Sequence, residues 1–82
     1  MFVVYAIYNQ DYDKFYIGQT EDVVRRLKEH NSHTIPGYTS KFKGEWKLIY
    51  QESFSTRSEA IKREKQLKSS RGRAYISTYI PG

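Results

Sequence analysis

The chain has 82 residues, which is enough for one small hydrophobic core, so we expect residues 1–82 to form a single domain. It contains no cysteine, which excludes disulfide bonds and thiolate metal sites, and no apolar run approaches the ~20 residues that a membrane span needs. The net charge is +5, and the excess lies in residues 41–82, which hold ten Lys/Arg and four Asp/Glu. Such charge, interleaved with aromatic residues, suits a polyanion with stackable bases, although a solvated surface explains the charge more simply.

The first predicted element is a β-hairpin. Residues 2–8, FVVYAIY, are β-branched and aromatic, which favours a strand. The polar run NQDYDK at 9–14 can reverse the chain before a second strand-like run, KFYIG at 14–18.

A helix is predicted next, with Thr20 as its N-terminal cap and an end near His30 and Asn31. Glu21 and Asp22 would then lie in the first turn, where the helix dipole favours negative charge. The apolar stripe of this helix would face the sheet and consists of Val23, Val24 and Leu27.

Residues 32–45, SHTIPGYTSKFKGE, contain a proline and two glycines and have little periodicity, which predicts a long loop. Residues 46–54, WKLIYQESF, alternate well enough to predict a third strand. The tail RGRAYISTYIPG at 71–82 fits either a further strand or a short final helix, because its aromatic content favours the first and its position after a helix allows the second.

A second helix is predicted over residues 56–70, where Thr56 and Glu59 can form a capping box. Its spacing directs the carboxylate of Glu64 toward the core together with Ala60, Ile61 and Leu67. Burial of a carboxylate is costly unless a cation or hydrogen-bond donors compensate it. The ordinary explanation is an ion pair with a lysine or arginine; the functional one is a divalent-metal ligand, because one carboxylate with water and substrate phosphate suits Mg²⁺.

The predicted order is therefore β-β-α-β-α, followed by the undecided tail. We expect a small α/β domain of the α+β type, in which a three-stranded sheet with an N-terminal antiparallel hairpin is flanked by helices.

On the first helix, Asp22, Arg26 and His30 follow each other at four-residue intervals and would line one side near Tyr16. Taken singly, Arg26 could form a weak surface pair with Asp22, and His30 could interact with the end of the helix. One phosphate near the turn, bound by the Arg26 guanidinium and by amides at the helix start, would account for both residues.

These residues resemble the motifs of the GIY-YIG nucleases. VVY at 3–5 and YIG at 16–18 resemble the paired motif of that family, with the two tyrosines eleven residues apart, and VVY is a variant of small stand-alone bacterial members. T-x-D-x-x-x-R-x-x-x-H at 20–30 resembles the following motif, and SEAIKREKQLK at 58–68 resembles the metal-binding helix. The resemblance covers residues 2 to about 68.

This resemblance implies a metal-dependent endonuclease that hydrolyses DNA phosphodiester bonds. It implies that Tyr16 orients or deprotonates the attacking water with Tyr5 beside it, and that Arg26 steadies the phosphate. Glu64 would bind one Mg²⁺ or Mn²⁺ ion. Gly18 would allow a tight turn and a close approach of the phosphate. The predicted catalytic residues are therefore Tyr5, Tyr16, Arg26, His30 and Glu64.

Additional contacts to the nucleic acid are predicted in the long loop at 32–45 and in the basic half of the chain, residues 41–82. Thr39 lies in that loop and could help to cover the substrate. Many GIY-YIG members carry a functional Asn beyond the glutamate; none occurs here, and Ser69, Ser70 or Arg71 could replace it. The predicted nucleic-acid contacts, besides Gly18, are Tyr38, Lys41, Lys62, Arg63, Lys65, Arg71 and Arg73, although most of these are equally explained as solvated charge.

Two other classes of function remain open from the sequence. The first is a module that binds nucleic acid on the same scaffold without cutting it, and the second is a protein-interaction domain. For the nuclease we expect low sequence specificity, because 82 residues leave little room for a targeting domain. We expect a cytoplasmic protein without membrane contacts, whose DNA substrate is single-stranded, double-stranded or branched.

Overall fold

In a computed structural model of the chain, residues 1–33 and 37–81 are described, with the backbone alone for Tyr38. The fold is α+β and begins with the predicted β-hairpin. The elements are β1 (Phe2–Asn9), β2 (Lys14–Thr20), α1 (Val23–Asn31), a short 3-10 helix (Tyr38–Lys41), β3 (Trp46–Phe54), α2 (Arg57–Lys68) and α3 (Ser70–Ser77). The sheet is antiparallel with strand order β2-β1-β3, so that β2 and β3 are its edges.

The central strand β1 carries side chains to both faces of the sheet. Because successive side chains of a strand alternate, Val4 and Ala6 face one layer, whereas Tyr5 and Ile7 face the other. All four are buried. The sheet therefore separates two apolar clusters, each covered by its own helices.

Helices α2 and α3 cover the first face. Ala60, Leu67 and Ile76 pack there against β1 and β2. The predicted core position of Ile61 is wrong, because one residue beyond Ala60 is a rotation of about 100° around the helix, and the side chain is 38% exposed.

The tail forms the helix α3. Its first turn is capped by Ser69, whose hydroxyl oxygen accepts a hydrogen bond from the Gly72 amide at 3.2 Å. Gly72 lies buried within α3 against the backbone of Gln66 and Leu67, where a side chain would not fit. The Ser69 hydroxyl also donates to the Gln66 carbonyl at 2.6 Å, which explains this serine by capping alone.

Helix α1 covers the second face, beside Tyr5, Ile7 and Trp46. Its partly buried apolar residues are Val23 and Leu27, whereas Val24 is exposed, contrary to the predicted stripe. Within residues 1–33 and 37–81, no helix is long and apolar enough to span a bilayer.

The predicted start of α1 is two residues too early. Asp22 is the cap, and its carboxylate accepts from the Arg25 amide at 3.0 Å. Thr20 ends β2, and its hydroxyl oxygen accepts from the Asp22 amide at 3.1 Å. Glu21 and Asp22 therefore precede the helix, and no acidic residue lies in its first turn.

Candidate active site

Tyr5, Tyr16 and Gly18 lie together on the sheet face covered by α1. Tyr5 is paired with Gly18 across the hairpin, and the two tyrosine rings are 6.4 Å apart. A Cβ at Gly18 would lie 2.8 Å from the Tyr5 Oη atom and 3.0 Å from the Tyr16 Cε2 atom. Gly18 is thus a buried strand residue and not a turn, contrary to our prediction. Its missing side chain provides the space that Tyr5 occupies.

His30 joins this group from the last turn of α1. It is 3% exposed, and its Nε2 atom lies 2.8 Å from the Tyr5 Oη atom. Its Nδ1 atom lies 2.8 Å from the Oγ1 atom of Thr39, which is also buried. Thr39 is thus buried against the imidazole and helps to fix the position of the His30 ring. The Tyr16 ring completes the group at 5.3 Å from the His30 ring.

The protonation of Tyr5 and His30 follows from their burial. Burial strongly raises the pKa of Tyr5, Tyr16 adds to this shift, and Arg26 opposes it. Burial also lowers the pKa of His30, Arg26 adds to that shift, and Glu29 opposes it. At neutral pH the phenol is therefore protonated and the imidazole neutral, so that one ring nitrogen donates and the other accepts in the chain from Tyr5 through His30 to Thr39. Tyr5 keeps its proton.

Tyr16 has a different environment from Tyr5. It is half-buried and lines a cavity of about 300 Å³ on the free edge of β2. Two cationic side chains, Lys68 and Arg73, border the same cavity, together with Phe15 and Ile17. Phe15 and Ile17 belong to the apolar cluster beneath α2 and α3, so this cavity lies on that face, whereas the Tyr16 ring lies on the α1 face beside His30. Of the two motif tyrosines, Tyr16 is the more exposed.

Arg26 lies close enough to act electrostatically on both Tyr5 and His30. Its predicted pair with Asp22 is wrong, because that carboxylate caps α1. The Nη1 atom of Arg26 instead lies 3.8 Å from Glu29, and its enclosed Nε–H has no acceptor among the described residues. The guanidinium is 35% exposed, so it can still bind a phosphate.

Glu64 is less buried than predicted. Its side chain is 22% exposed, and its carboxylate lies 2.8 Å from the Nζ atom of Lys68, one helical turn further along α2. Glu64 thus forms an ion pair with a lysine, which is the ordinary explanation of its position. The negative charge of Glu64 also raises the pKa of Tyr5, so the carboxylate acts on the tyrosine site.

The donor set around Glu64 fits a hard divalent cation only in part. No group of three acidic or histidine side chains converges among the described residues. A single carboxylate nevertheless suffices for Mg²⁺ when water and substrate phosphates supply the other oxygens.

The chain has counterparts among known proteins. Residues 1–79 match the GIY-YIG catalytic domain. The chain belongs to the GIY-YIG family. It is 41% identical over 54 residues to a UPF0213 protein of Staphylococcus saprophyticus, an alignment that covers 66% of this chain and 65% of that relative.

Two further comparisons extend over more of the GIY-YIG domain. A UPF0213 protein of Haloquadratum walsbyi is 39% identical over 66 residues, which is 80% of this chain and 72% of that protein. The solution NMR structure of a UPF0213 protein from Bacillus halodurans superimposes with a TM-score of 0.55 at 30% identity, covering all of this chain and 88% of the other. These relatives are small members of the family.

The residues of this GIY-YIG domain that were predicted to contact nucleic acid differ in their surroundings. Arg63 is held by Glu52 at 3.0 Å and by Gln66 at 3.2 Å, and it lies over the Tyr75 ring, so it has a structural role. Arg73 stacks over Phe15 at 4.8 Å and borders the Tyr16 cavity. The side chain of Tyr38 lies outside the described residues. Exposed positions are occupied by Lys41, Lys62, Lys65 and Arg71.

Four residues near the site were not predicted in their observed roles: Thr39, Lys68, Arg25 and Arg57. Lys68 follows Glu64 by four residues, and this spacing on a helix is the one signal that could have identified the pair. The position of Thr39 behind His30 depends on how the long loop folds back, which no local pattern reports.

Proposed function

We propose that this GIY-YIG domain is an endonuclease that hydrolyses DNA phosphodiester bonds with low sequence specificity and the help of one divalent cation. The observation that carries the proposal is the separation of roles between the two tyrosines. Tyr5 is buried and keeps its proton, whereas Tyr16 packs beside it and is only half-buried. The exposed part of Tyr16 is the part of this tyrosine pair that a phosphate group can approach. Its substrate would place the protein in the cytoplasm.

In this proposal Tyr16 is the catalytic phenol. Its oxygen orients or deprotonates the water that attacks the phosphorus atom. Tyr5 does not serve as the base, because its raised pKa and its bond to His30 keep the phenol protonated. The chain Tyr5–His30–Thr39 instead fixes the ring that packs beside Tyr16.

Arg26 binds the reacting phosphate in this proposal. Its ion pair with Glu29 is long and partly exposed, and such pairs contribute about 0–1 kcal/mol, so a phosphate competes with it easily. A guanidinium offers two parallel N–H donors to phosphate oxygens, which stabilises negative charge as it develops.

Glu64 would hold the cation. When bound, a divalent ion polarises the phosphoryl oxygen and stabilises the leaving oxyanion. The Lys68 ammonium would have to move away from the carboxylate, which the partial exposure of both side chains permits.

The second candidate is a module that binds nucleic acid without cutting it. The observation in its favour is the position of Lys68, whose ammonium occupies the Glu64 carboxylate at 2.8 Å. If the ion pair between Glu64 and Lys68 persists when DNA is bound, the cation has no protein ligand. Only binding of the nucleic acid by the basic residues would then remain.

The deciding experiment measures cleavage of supercoiled plasmid and of labelled duplex DNA with Mg²⁺, Mn²⁺ or EDTA. We expect cleavage with either metal, none with EDTA, and none by Glu64→Gln, which keeps the shape of the side chain but loses its charge. Glu45→Gln, which removes an exposed carboxylate elsewhere, is the matched control and should cut normally. Full activity of Glu64→Gln in Mg²⁺ would overturn the metal assignment. Salt-sensitive DNA binding without any cleavage would favour the second candidate.

A further inference from the structure

A second basic cavity lies at the other end of β2. It has a volume of about 130 Å³ and is formed where β2 ends and where α1 and α2 begin. The residues that line it are Gln19, Thr20, Glu21, Arg25, Arg26 and Arg57. Three guanidinium groups thus border one small space, opposed by one carboxylate.

These arginines have few partners within the protein. Arg25 and Arg57 make no ion pair with any residue in 1–33 or 37–81, and Arg57 lies with its guanidinium 5.3 Å from the centre of the Phe2 ring. Like charges that share a cavity repel one another unless an anion neutralises them. The cavity is therefore electrostatically suited to an anion, and its polar lining suits a phosphate oxygen.

The position of this cavity relates it to the Tyr16 site. Arg26 lines this cavity and also acts electrostatically on Tyr5, whose ring packs beside Tyr16, so the cavity adjoins the tyrosine site. Tyr16 and Gln19 are three residues apart, which is roughly 10 Å along a strand at ~3.3 Å per residue. Because the phosphates of one DNA strand wind around the helix axis, their separation exceeds the axial rise of ~3.4 Å per nucleotide, so roughly 10 Å reaches a phosphate one or two steps away.

We propose that Arg25 and Arg57, with the Gln19 amide, bind a backbone phosphate that flanks the one undergoing cleavage. The ligand is thus a second phosphodiester group of the same nucleic-acid strand. This subsite rests on the proposed nuclease function, and it assigns binding, not chemistry, to residues outside the GIY-YIG motifs. Tyr16 and Arg26 act on one phosphate, and the second cavity fixes the position of a neighbouring one.

The test compares two double variants that each remove two positive charges. One is Arg25→Gln with Arg57→Gln; the control is Lys28→Gln with Lys47→Gln, at exposed positions away from the cavity. Affinity for a fluorescein-labelled DNA duplex is measured by anisotropy without divalent cation over a salt series. Each neutralised phosphate contributes ~0.9 to the slope of log K against log salt, so we expect the arginine variant, which loses one phosphate contact, to lower the slope by about 0.9. The control should change it little.

Cleavage kinetics provide a second readout. We expect the arginine variant to raise KM while kcat stays close to the wild-type value, because the lost contact is the same in the ground state and the transition state. Should the double variant fail to fold, Arg57→Gln alone should still lower the salt slope, by less than ~0.9 because Arg25 remains, and should raise KM.

Equal slopes for the two double variants, with DNA binding and cleavage intact, would overturn the subsite and leave the proposed function standing. Absence of salt-sensitive DNA binding by the wild type would overturn both.

Discussion

At the scale of single residues, Gly18 explains the YIG motif by packing. The glycine is paired with Tyr5, and the space left by its missing side chain is filled by the Tyr5 hydroxyl. That hydroxyl in turn bonds His30. The glycine therefore serves the position of a neighbouring tyrosine and not the flexibility of the backbone.

Gly18→Ala should consequently destabilise the protein. The added methyl group would lie 2.8 Å from Tyr5 Oη, and overpacking of this kind costs about 1–3 kcal/mol. The free energy of unfolding in urea measures the effect. The same substitution in a Tyr5→Phe background should cost less, because the closest atom is gone. An equal cost in both backgrounds would show that the hydroxyl contact is unimportant.

His30 should make stability depend on pH. Its pKa is lowered from 6.5 by burial and by Arg26, so the unfolded chain binds a proton more readily than the folded one as the pH falls through 6.5. We expect stability that is present above that pH and declines below it. An NMR titration of the His30 ring checks this, with His33→Gln removing the other imidazole signal. A His30 pKa at or above 6.5 would contradict a buried neutral imidazole.

At the scale of elements, α2 combines two competing uses of Glu64. The carboxylate lies on the half-buried side of the helix and pairs with Lys68 one turn later. A cation at Glu64 would therefore compete with an ammonium that is always present.

Lys68→Gln should increase the affinity of the protein for Mn²⁺, measured by EPR in the absence of DNA. The expected gain is about fivefold, equivalent to the ~1 kcal/mol that a partly exposed ion pair contributes. Lys65→Gln, on an exposed face of the same helix, is the matched control and should bind Mn²⁺ like the wild type. Identical affinities of the two variants would mean that Lys68 does not compete with the metal.

Elements defined by local patterns were predictable. The alternation of residues 46–54 marks β3 with the observed bounds, and Thr56 caps α2 as expected, accepting from the Glu59 amide at 3.2 Å. The start of α1 was not, because Thr20 and Asp22 are both favoured cap residues and pairing with β1 extends β2 to Thr20. Local propensity cannot decide which of two nearby cap residues begins the helix when the sheet takes up one of them.

At the scale of the whole molecule, the site depends on elements distant in sequence. The sequence motifs identified Tyr5, Tyr16, Arg26 and His30, and the structure brings them together around the hairpin and α1. Their different environments could not be predicted, because burial of Tyr5 depends on packing against α1 and on the loop that carries Thr39. The convergence of arginines from two helix starts likewise exists only in the folded chain.

The central claim is that Tyr16 is the catalytic phenol, and Tyr16→Phe tests it most directly. The single-turnover rate of duplex cleavage is measured with saturating Mg²⁺ and enzyme, beside Tyr12→Phe, which removes a hydroxyl from an exposed tyrosine. We predict that Tyr16→Phe lowers the rate on the order of 10²-fold or more, as expected for loss of a positioned proton acceptor. Its thermal stability and DNA affinity should stay close to the wild-type values. Cleavage by Tyr16→Phe at the rate of the wild type and of Tyr12→Phe would contradict the account.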